Sequence, residues 1–566
     1  MSEPSAARSH LLNRRDLLRV SVAGAAGAVT GAQSVALDIP EAGADLKPGN
    51  CSTPRSAIAK TQYGKVRGFL DGGVFTFKGI PYGQNTAGEN RWLPAKPPVP
   101  WDDEYPALIY GANCPQRLHD WTAIEQTFIQ DWDDGWQSED MLKLNVWTPS
   151  LSGSRPVMVY LHGGGFFFGS AYELPAQEGA QMARHHDIVS VTVNHRLNIL
   201  GFFDASSIGG SAYEDSVNVG MTDLVAALKW VRENIANFGG DPDKVMIYGQ
   251  SGGGSKVTTL MGMPAAKGFF HRASAQSGGG GNIPSKEQQT EVARQLMKDL
   301  GLSPNDMASL QKMPWDELMA AGNAAVAKVN PPMRSGGGFP FGVARAGWSP
   351  CVDGKNITLR SFFDVAPEIS KDVPMMVGSV SEEGNQMLSD PTEAEWQSDL
   401  AKIYGEQKAT AIISALKKEY PWKKIQTLSF MCPSRFGLNT LFMRNNVVKM
   451  AKLKYEQKAA PVYAYFFSWQ SPILDRIPGA WHTSELQFCF DNAKRCEQGT
   501  GNVPEAQKLA AKMASSWATF ARTGNPSLPD LTWEPTDPES NKTMVWDNEC
   551  RMTNDPVSEA RKIILS

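Results

Sequence analysis

Val245-Met246-Ile247-Tyr248-Gly249-Gln250-Ser251-Gly252-Gly253-Gly254 carries an apolar run directly into a serine set among glycines. The first four residues are too apolar for a half-exposed strand, so they read as a central strand of a sheet covered on both faces. Glycines at 249, 252 and 253 leave steric room for a sharp strand-to-helix turn that exposes the Ser251 hydroxyl. A hydroxyl presented in this way is what nucleophilic attack on an ester carbonyl needs. Because glycine is abundant in the chain, at 52 residues, the pattern draws its weight from the strand before it.

Upstream, Val157-Met158-Val159-Tyr160-Leu161 and Ile188-Val189-Ser190-Val191-Thr192-Val193 have the same character and read as further parallel strands. Between the second of these and the serine turn, Leu224, Ala227, Leu228, Val231 and Ile235 share one helical face, with Asp223 at the expected helix start. Gly239-Gly240-Asp241-Pro242 then breaks the helix and returns the chain to the sheet. Strand, helix and strand in succession predict an α/β fold, a mostly parallel sheet with helices on its faces. Downstream, helical patterns at 288 to 300, 306 to 327, 393 to 418 and 504 to 522 are joined by strand candidates at Val373 to Val377 and Val462 to Phe467. Glycine-rich runs at 277 to 281 and 336 to 338 read as mobile loops rather than as lining of a gorge.

Ester hydrolysis also requires donors aimed at the oxyanion before charge develops. His162-Gly163-Gly164-Gly165-Phe166 follows the 157 to 161 strand, about ninety residues before Ser251, and supplies them. The base follows by elimination. In α/β-hydrolases the order along the chain is serine, acid, histidine, and of eight histidines only His271 and His482 follow Ser251. His271 comes too soon to leave room for a strand and an acid loop, so His482 remains. The acid belongs on a loop after a strand between the two. Glu382 and Glu383, which follow Val373 to Val377, fit best, with Asp353, Asp364 and Asp390 also in order.

The formal net charge of −4 and the 20% content of charged residues provide no basic field for nucleic acid or an anionic membrane. Residues 1 to 36 differ from the rest: Arg14-Arg15-Asp16-Leu17-Leu18 precedes a weakly apolar Ala/Gly stretch ending near Ala32 to Ala36. This is the pattern of a twin-arginine export signal, diluted below a membrane-spanning helix. Cleavage there would leave a chain of roughly 530 residues, exported to the periplasm or beyond. Seven cysteines, an odd number with no zinc-ligand spacing, imply neither a disulfide scaffold nor a metal cofactor.

With these motifs in place, the chain resembles the type-B carboxylesterase family, which includes the cholinesterases. Phe77 to Gly83, Ser138 to Val146, Asn194-His195-Arg196 and Asn234 to Pro242 carry the resemblance up to the serine turn, and it covers most of the chain. The resemblance implies one catalytic domain over residues 37 to 566, where length alone suggests several. It also implies that the acid is Glu383, the glutamate immediately before glycine, that the oxyanion hole is formed by the N–H groups of Gly164, Gly165 and Gly252, and that Ser277 supports the histidine. No cofactor is expected, and the partner is a small-molecule ester.

The chain departs from the family pattern at three positions. Gln250 and Gly252 stand where Glu and Ala are usual, and Met141 stands where a cysteine would pair with Cys114, so that loop must be held by packing. Trp136, Phe166 and Phe167 are candidates to line the substrate pocket. Two other functions are compatible with this pattern. One is an acyltransferase using the same acyl-enzyme; the other is a non-catalytic adhesion relative.

Overall fold

The computed structural model describes residues 57–117, 124–330, 344–384, 389–432 and 439–566. The expected export signal and the 336 to 338 glycines lie outside them. Residues Asn50–Ser566 form one compact unit.

Its centre is an eleven-stranded mixed sheet. Seven adjacent strands run parallel, in the order Val189–Val193, Arg155–Leu161, Gly240–Gln250, Arg272–Gln276, Met375–Val380, Val462–Phe467 and Lys542–Trp546. Antiparallel strands extend both ends, beginning with Lys143–Thr148 on one side and Arg551–Asn554 on the other. The strands expected at 157 to 161, 188 to 193 and 245 to 248 sit side by side in this parallel block.

Side-chain alternation divides the core between the two faces of the sheet. Val157, Val159, Val245 and Ile247 pack with Leu224, Leu228 and Val231 of helix Val219–Asn234. Met158, Tyr160, Met246 and Tyr248 pack on the opposite face with Leu509, Met513 and Trp517 of helix Pro504–Thr523. The serine turn at the end of Gly240–Gln250 is therefore held from both sides by buried apolar layers. This is the α/β-hydrolase arrangement, with ligand chemistry at the carboxyl ends of parallel strands.

The structure departs from the sequence expectations in several places. Helix Val219–Asn234 begins four residues before Asp223. Asp223 is fully buried and forms a bidentate pair with Arg196, at 2.6 and 2.8 Å, instead of capping the helix. The 306 to 327 pattern is two helices, Met307–Lys312 and Trp315–Val329, divided at Pro314. The 393 to 418 pattern divides at Gly405, whose φ is +83°. In the 277 to 281 run, Gly278, Gly279 and Gly280 are buried rather than forming a surface loop.

The loop lacking the family's disulfide is held by more than packing. Buried Glu139 receives Arg91 Nε at 2.7 Å and Nη2 at 2.5 Å, and the same guanidinium donates to Met313 O. Cys114 and Met141 are both buried, with the Cys114 thiol unpaired.

Candidate active site

Ser251 terminates its strand with φ +58° and ψ −121°, a conformation that an L-residue holds only when its surroundings impose it. Its N–H donates to Gln276 O at 2.8 Å, and its carbonyl accepts from Ser255 N–H at 3.1 Å. Neighbouring backbone then fills the spaces where side chains would sit. A Cβ on Gly253 would lie 2.0 Å from Leu161 O, and one on Gly278 would lie 2.0 Å from Ser251 O. The glycines permit this close approach, and the approach holds the turn in place.

The 162 to 165 loop passes beside this serine: a Cβ on Gly163 would be 3.6 Å from Ser251 Cβ. Gly164 and Gly165 have φ of +75° and +61°, values that glycine adopts at little cost. Among the backbone hydrogen bonds of the described residues, none is donated by Gly164 or Gly165. Gly252 supplies a third N–H at the start of helix Gly252–Gly262. The glycine at 252 has a local cause. A Cβ there would lie 2.2 Å from Gly165 O and 2.5 Å from Gly165 N, so the glycine loop occupies the volume an alanine methyl would need.

His482 Nδ1 lies 2.5 Å from Glu383 Oε2. A carboxylate can only accept, so Nδ1 carries the proton and Nε2 is left as the acceptor nitrogen. Glu383 is buried, and its Oε1 accepts Val380 N–H at 3.0 Å, while its own N–H donates to Thr440 Oγ1 at 3.1 Å. Gln250 Nε2 lies 3.4 Å from Nδ1 and 3.3 Å from Nε2 of the same ring, which puts the imidazole directly beside the serine turn.

Glu382 turns the other way. Its Oε1 meets Lys423 Nζ and accepts Ser381 Oγ at 2.9 Å. Its Oε2 accepts Ala480 N–H at 2.7 Å, and its own N–H donates to Ala480 O at 3.0 Å. Glu382 thus fastens the segment carrying His482 to the segment carrying Glu383, a role that position along the chain did not reveal.

Ser277 directly follows the strand next to the serine turn, with its N–H on Gly378 O at 2.8 Å; its buried hydroxyl makes no hydrogen bond among the described residues. Glu485, one turn after His482, is fully buried, and burial together with the nearby Glu383 charge pushes its carboxyl up to about 8. Of the aromatic candidates, Phe167 is 46% exposed and its ring lies over Gly165, 2.9 Å from where a Cβ would stand. Phe166 is buried edge-on against Phe202, with ring centroids 5.3 Å apart. Trp136 is exposed, its indole N–H on Tyr110 O.

Sequence reasoning missed Lys256, whose buried Nζ donates to His162 O at 2.8 Å and to Gly163 O at 3.3 Å. The signal was available, since Lys256 is the one charged residue in helix Gly252–Gly262. No cluster of three or more His, Cys, Asp or Glu suited to a metal occurs among the described residues.

A model described as the Carboxylesterase family matches residues 55–563. The para-nitrobenzyl esterase of Bacillus subtilis (strain 168) is 32% identical over 509 residues, 89% of this chain and 98% of that one. The phenmedipham hydrolase of Pseudarthrobacter oxydans is 30% identical over 492 residues, covering 85% and 92% of the two chains. A solved esterase from Clostridium hathewayi, described as able to hydrolyse aliphatic aromatic polyesters, superposes with TM-score 0.78 at 31% identity, covering 91% of this chain and 99% of that one. A serine turn of this geometry, in a chain matched along nearly its whole length, identifies the protein as a member of the carboxylesterase family, a serine hydrolase of carboxylic esters.

Proposed function

We propose that Ser251, His482 and Glu383 form the catalytic triad, acting through an acyl-enzyme on a small to medium organic ester. His482 Nε2 takes the Ser251 hydroxyl proton as Oγ bonds to the ester carbonyl carbon. The carbonyl π electrons move onto oxygen, and the N–H groups of Gly164, Gly165 and Gly252 receive that oxyanion. As the oxyanion collapses, the C–O bond to the alcohol breaks and His482 passes the proton to the departing alkoxide. Water then repeats the sequence on the acyl-serine, releasing acid and restoring the hydroxyl.

The observation that carries this reading is the 2.5 Å contact between His482 Nδ1 and a fully buried Glu383, on an imidazole seated against the serine turn. The test is Ser251→Ala and His482→Ala, assayed on a nitrophenyl ester. Loss of turnover by about 10⁶ is expected if the residues act as a unit. Retained activity in Ser251→Ala removes the triad.

Phe167, exposed above Gly165, is the side chain we assign to substrate contact, ahead of Trp136 and Phe166. The name of the Bacillus subtilis relative makes esters of aromatic alcohols the first class to screen. We further assign residues 37 to 566 to a single catalytic domain and residues 1 to 36 to twin-arginine export, to the periplasm or out of the cell, on the Arg14-Arg15 motif and the apolar stretch after it. Fractionating cells that express the native chain and an Arg14→Lys/Arg15→Lys variant tests the export assignment; equal recovery of both from the periplasm and medium together removes it.

A further inference from the structure

A buried cation stands behind the glycine loop. Lys256 has no exposure, and it projects from the helix whose first residue is Gly252 to the carbonyls of His162 and Gly163. An ammonium carries three donors and no acceptor, and burying one is costly unless acceptors meet it. Here the acceptors are the backbone oxygens of the loop that carries the Gly164 N–H.

The peptide bond couples the two sides of that loop. In a trans peptide the C=O and N–H point in opposite directions within one rigid plane, and no cis peptide occurs among the described residues. Gly163 O and Gly164 N–H belong to the same plane. Gly163 O is held from behind by Lys256 Nζ at 3.3 Å and by His162 Nδ1 at 3.1 Å. The Gly164 N–H is therefore directed away from Lys256, and donors on the oxygen draw electron density from the amide and strengthen its N–H as a donor.

We propose that Lys256 is a positioning residue of the oxyanion hole, its ammonium fixing the Gly163-Gly164 peptide so that the Gly164 N–H faces the reacting oxygen. This rests on the triad and oxyanion reading given above. Both Gly163 and Gly164 lack the side chains that would restrain the peptide, and a left-handed glycine can rotate at little cost. The lysine provides the restraint.

The groups facing Lys256 come from three other segments: Glu173 from the loop after the glycines, His162 at the end of its strand, and His195 beyond Val189–Val193. Burial lowers the Lys256 ammonium to about 7, and the Glu173 charge opposes that drop. Burial in turn raises Glu173 to about 7, and holds both histidines well below their usual range and so neutral.

The experiment is Lys256→Met, which keeps the stem and removes the ammonium, assayed on a nitrophenyl ester and with a trifluoromethyl ketone that adds to the serine as an oxyanion. The expected result is a fall in kcat of about 10²-fold with KM within twofold, matched by an equal loss of ketone affinity. An unchanged kcat, or a loss in KM alone, overturns the proposal. If Lys256→Met does not fold, Glu173→Gln carries the test. Without the Glu173 charge the ammonium loses its proton more readily, so the alkaline limb of kcat moves to lower pH. An unmoved limb overturns the proposal equally. Ser251→Ala, run alongside, separates a failure of Lys256 from a failure of the triad itself.

Discussion

Restoring the family's usual alanine at position 252 should damage this enzyme. A Cβ built on Gly252 stands 2.2 Å from Gly165 O and 2.5 Å from both Gly165 N and Gly165 Cα, whereas ordinary contact begins at 3.4 Å. All three atoms are backbone, so relief requires the loop to retreat by about 1 Å, which carries Gly165 N–H beyond hydrogen-bonding range of an oxyanion at its usual 2.7 to 3.1 Å. Losing one such donor costs about 10² to 10³ in rate, or ~2.7–4 kcal/mol of transition-state stabilisation. Fold stability should fall by no more than about 2.5 kcal/mol, because overpacking costs roughly 1–3 kcal/mol while alanine in a helix returns about 0.5–1. The assay is kcat/KM for Gly252→Ala on a nitrophenyl ester, paired with trifluoromethyl ketone affinity and thermal melting. Near-native kcat/KM in a folded variant would refute the reasoning, because the loop would then have accepted the methyl without losing its aim.

Two further outcomes follow from the buried carboxylates. Glu383→Gln should lower kcat by about 10⁴ through loss of the tautomer-fixing acceptor, whereas Glu382→Gln, which strands Lys423 without its buried counter-charge, should lower stability by roughly 3–5 kcal/mol and kcat less; a larger kcat loss at Glu382, read by steady-state kinetics and melting together, reverses the assignment. Glu485 is ionised in the unfolded chain above about 4.5 but stays protonated in the fold up to about 8, so the folded state binds the extra proton between those values and stability falls as pH rises through them. The native chain and Glu485→Gln should therefore differ in slope by about 1.4 kcal/mol per pH unit, read by denaturant unfolding of both from pH 5 to 8.

The serine turn and the glycine loop were legible because each is a local steric demand. A strand that ends in a crowded turn leaves glycine in the sequence wherever backbone passes close, as at Gly249, Gly252, Gly253 and Gly164. His482 was legible by scarcity, since only two histidines follow Ser251. The acid was open on position alone, because Glu382 and Glu383 are neighbours of equal chemistry, and it was the family resemblance that pointed to Glu383. They are separated by what reaches each of them: the imidazole for one, Lys423 and Ala480 N–H for the other. Asp223 was misread for the same reason: a carboxylate near a helix start suits a cap or a buried guanidinium, and Arg196 is far from it in sequence.

By itself, then, the sequence determined the class of fold and the serine on which the chemistry turns, because apolar runs, helical periodicity and clustered glycines act over a few residues. The tertiary structure added what Glu382 holds, why position 252 excludes a methyl, and that Lys256 stands behind the glycine loop. Those are contacts between segments tens to hundreds of residues apart, and their energies depend on burial and approach distance, which no single stretch of sequence contains.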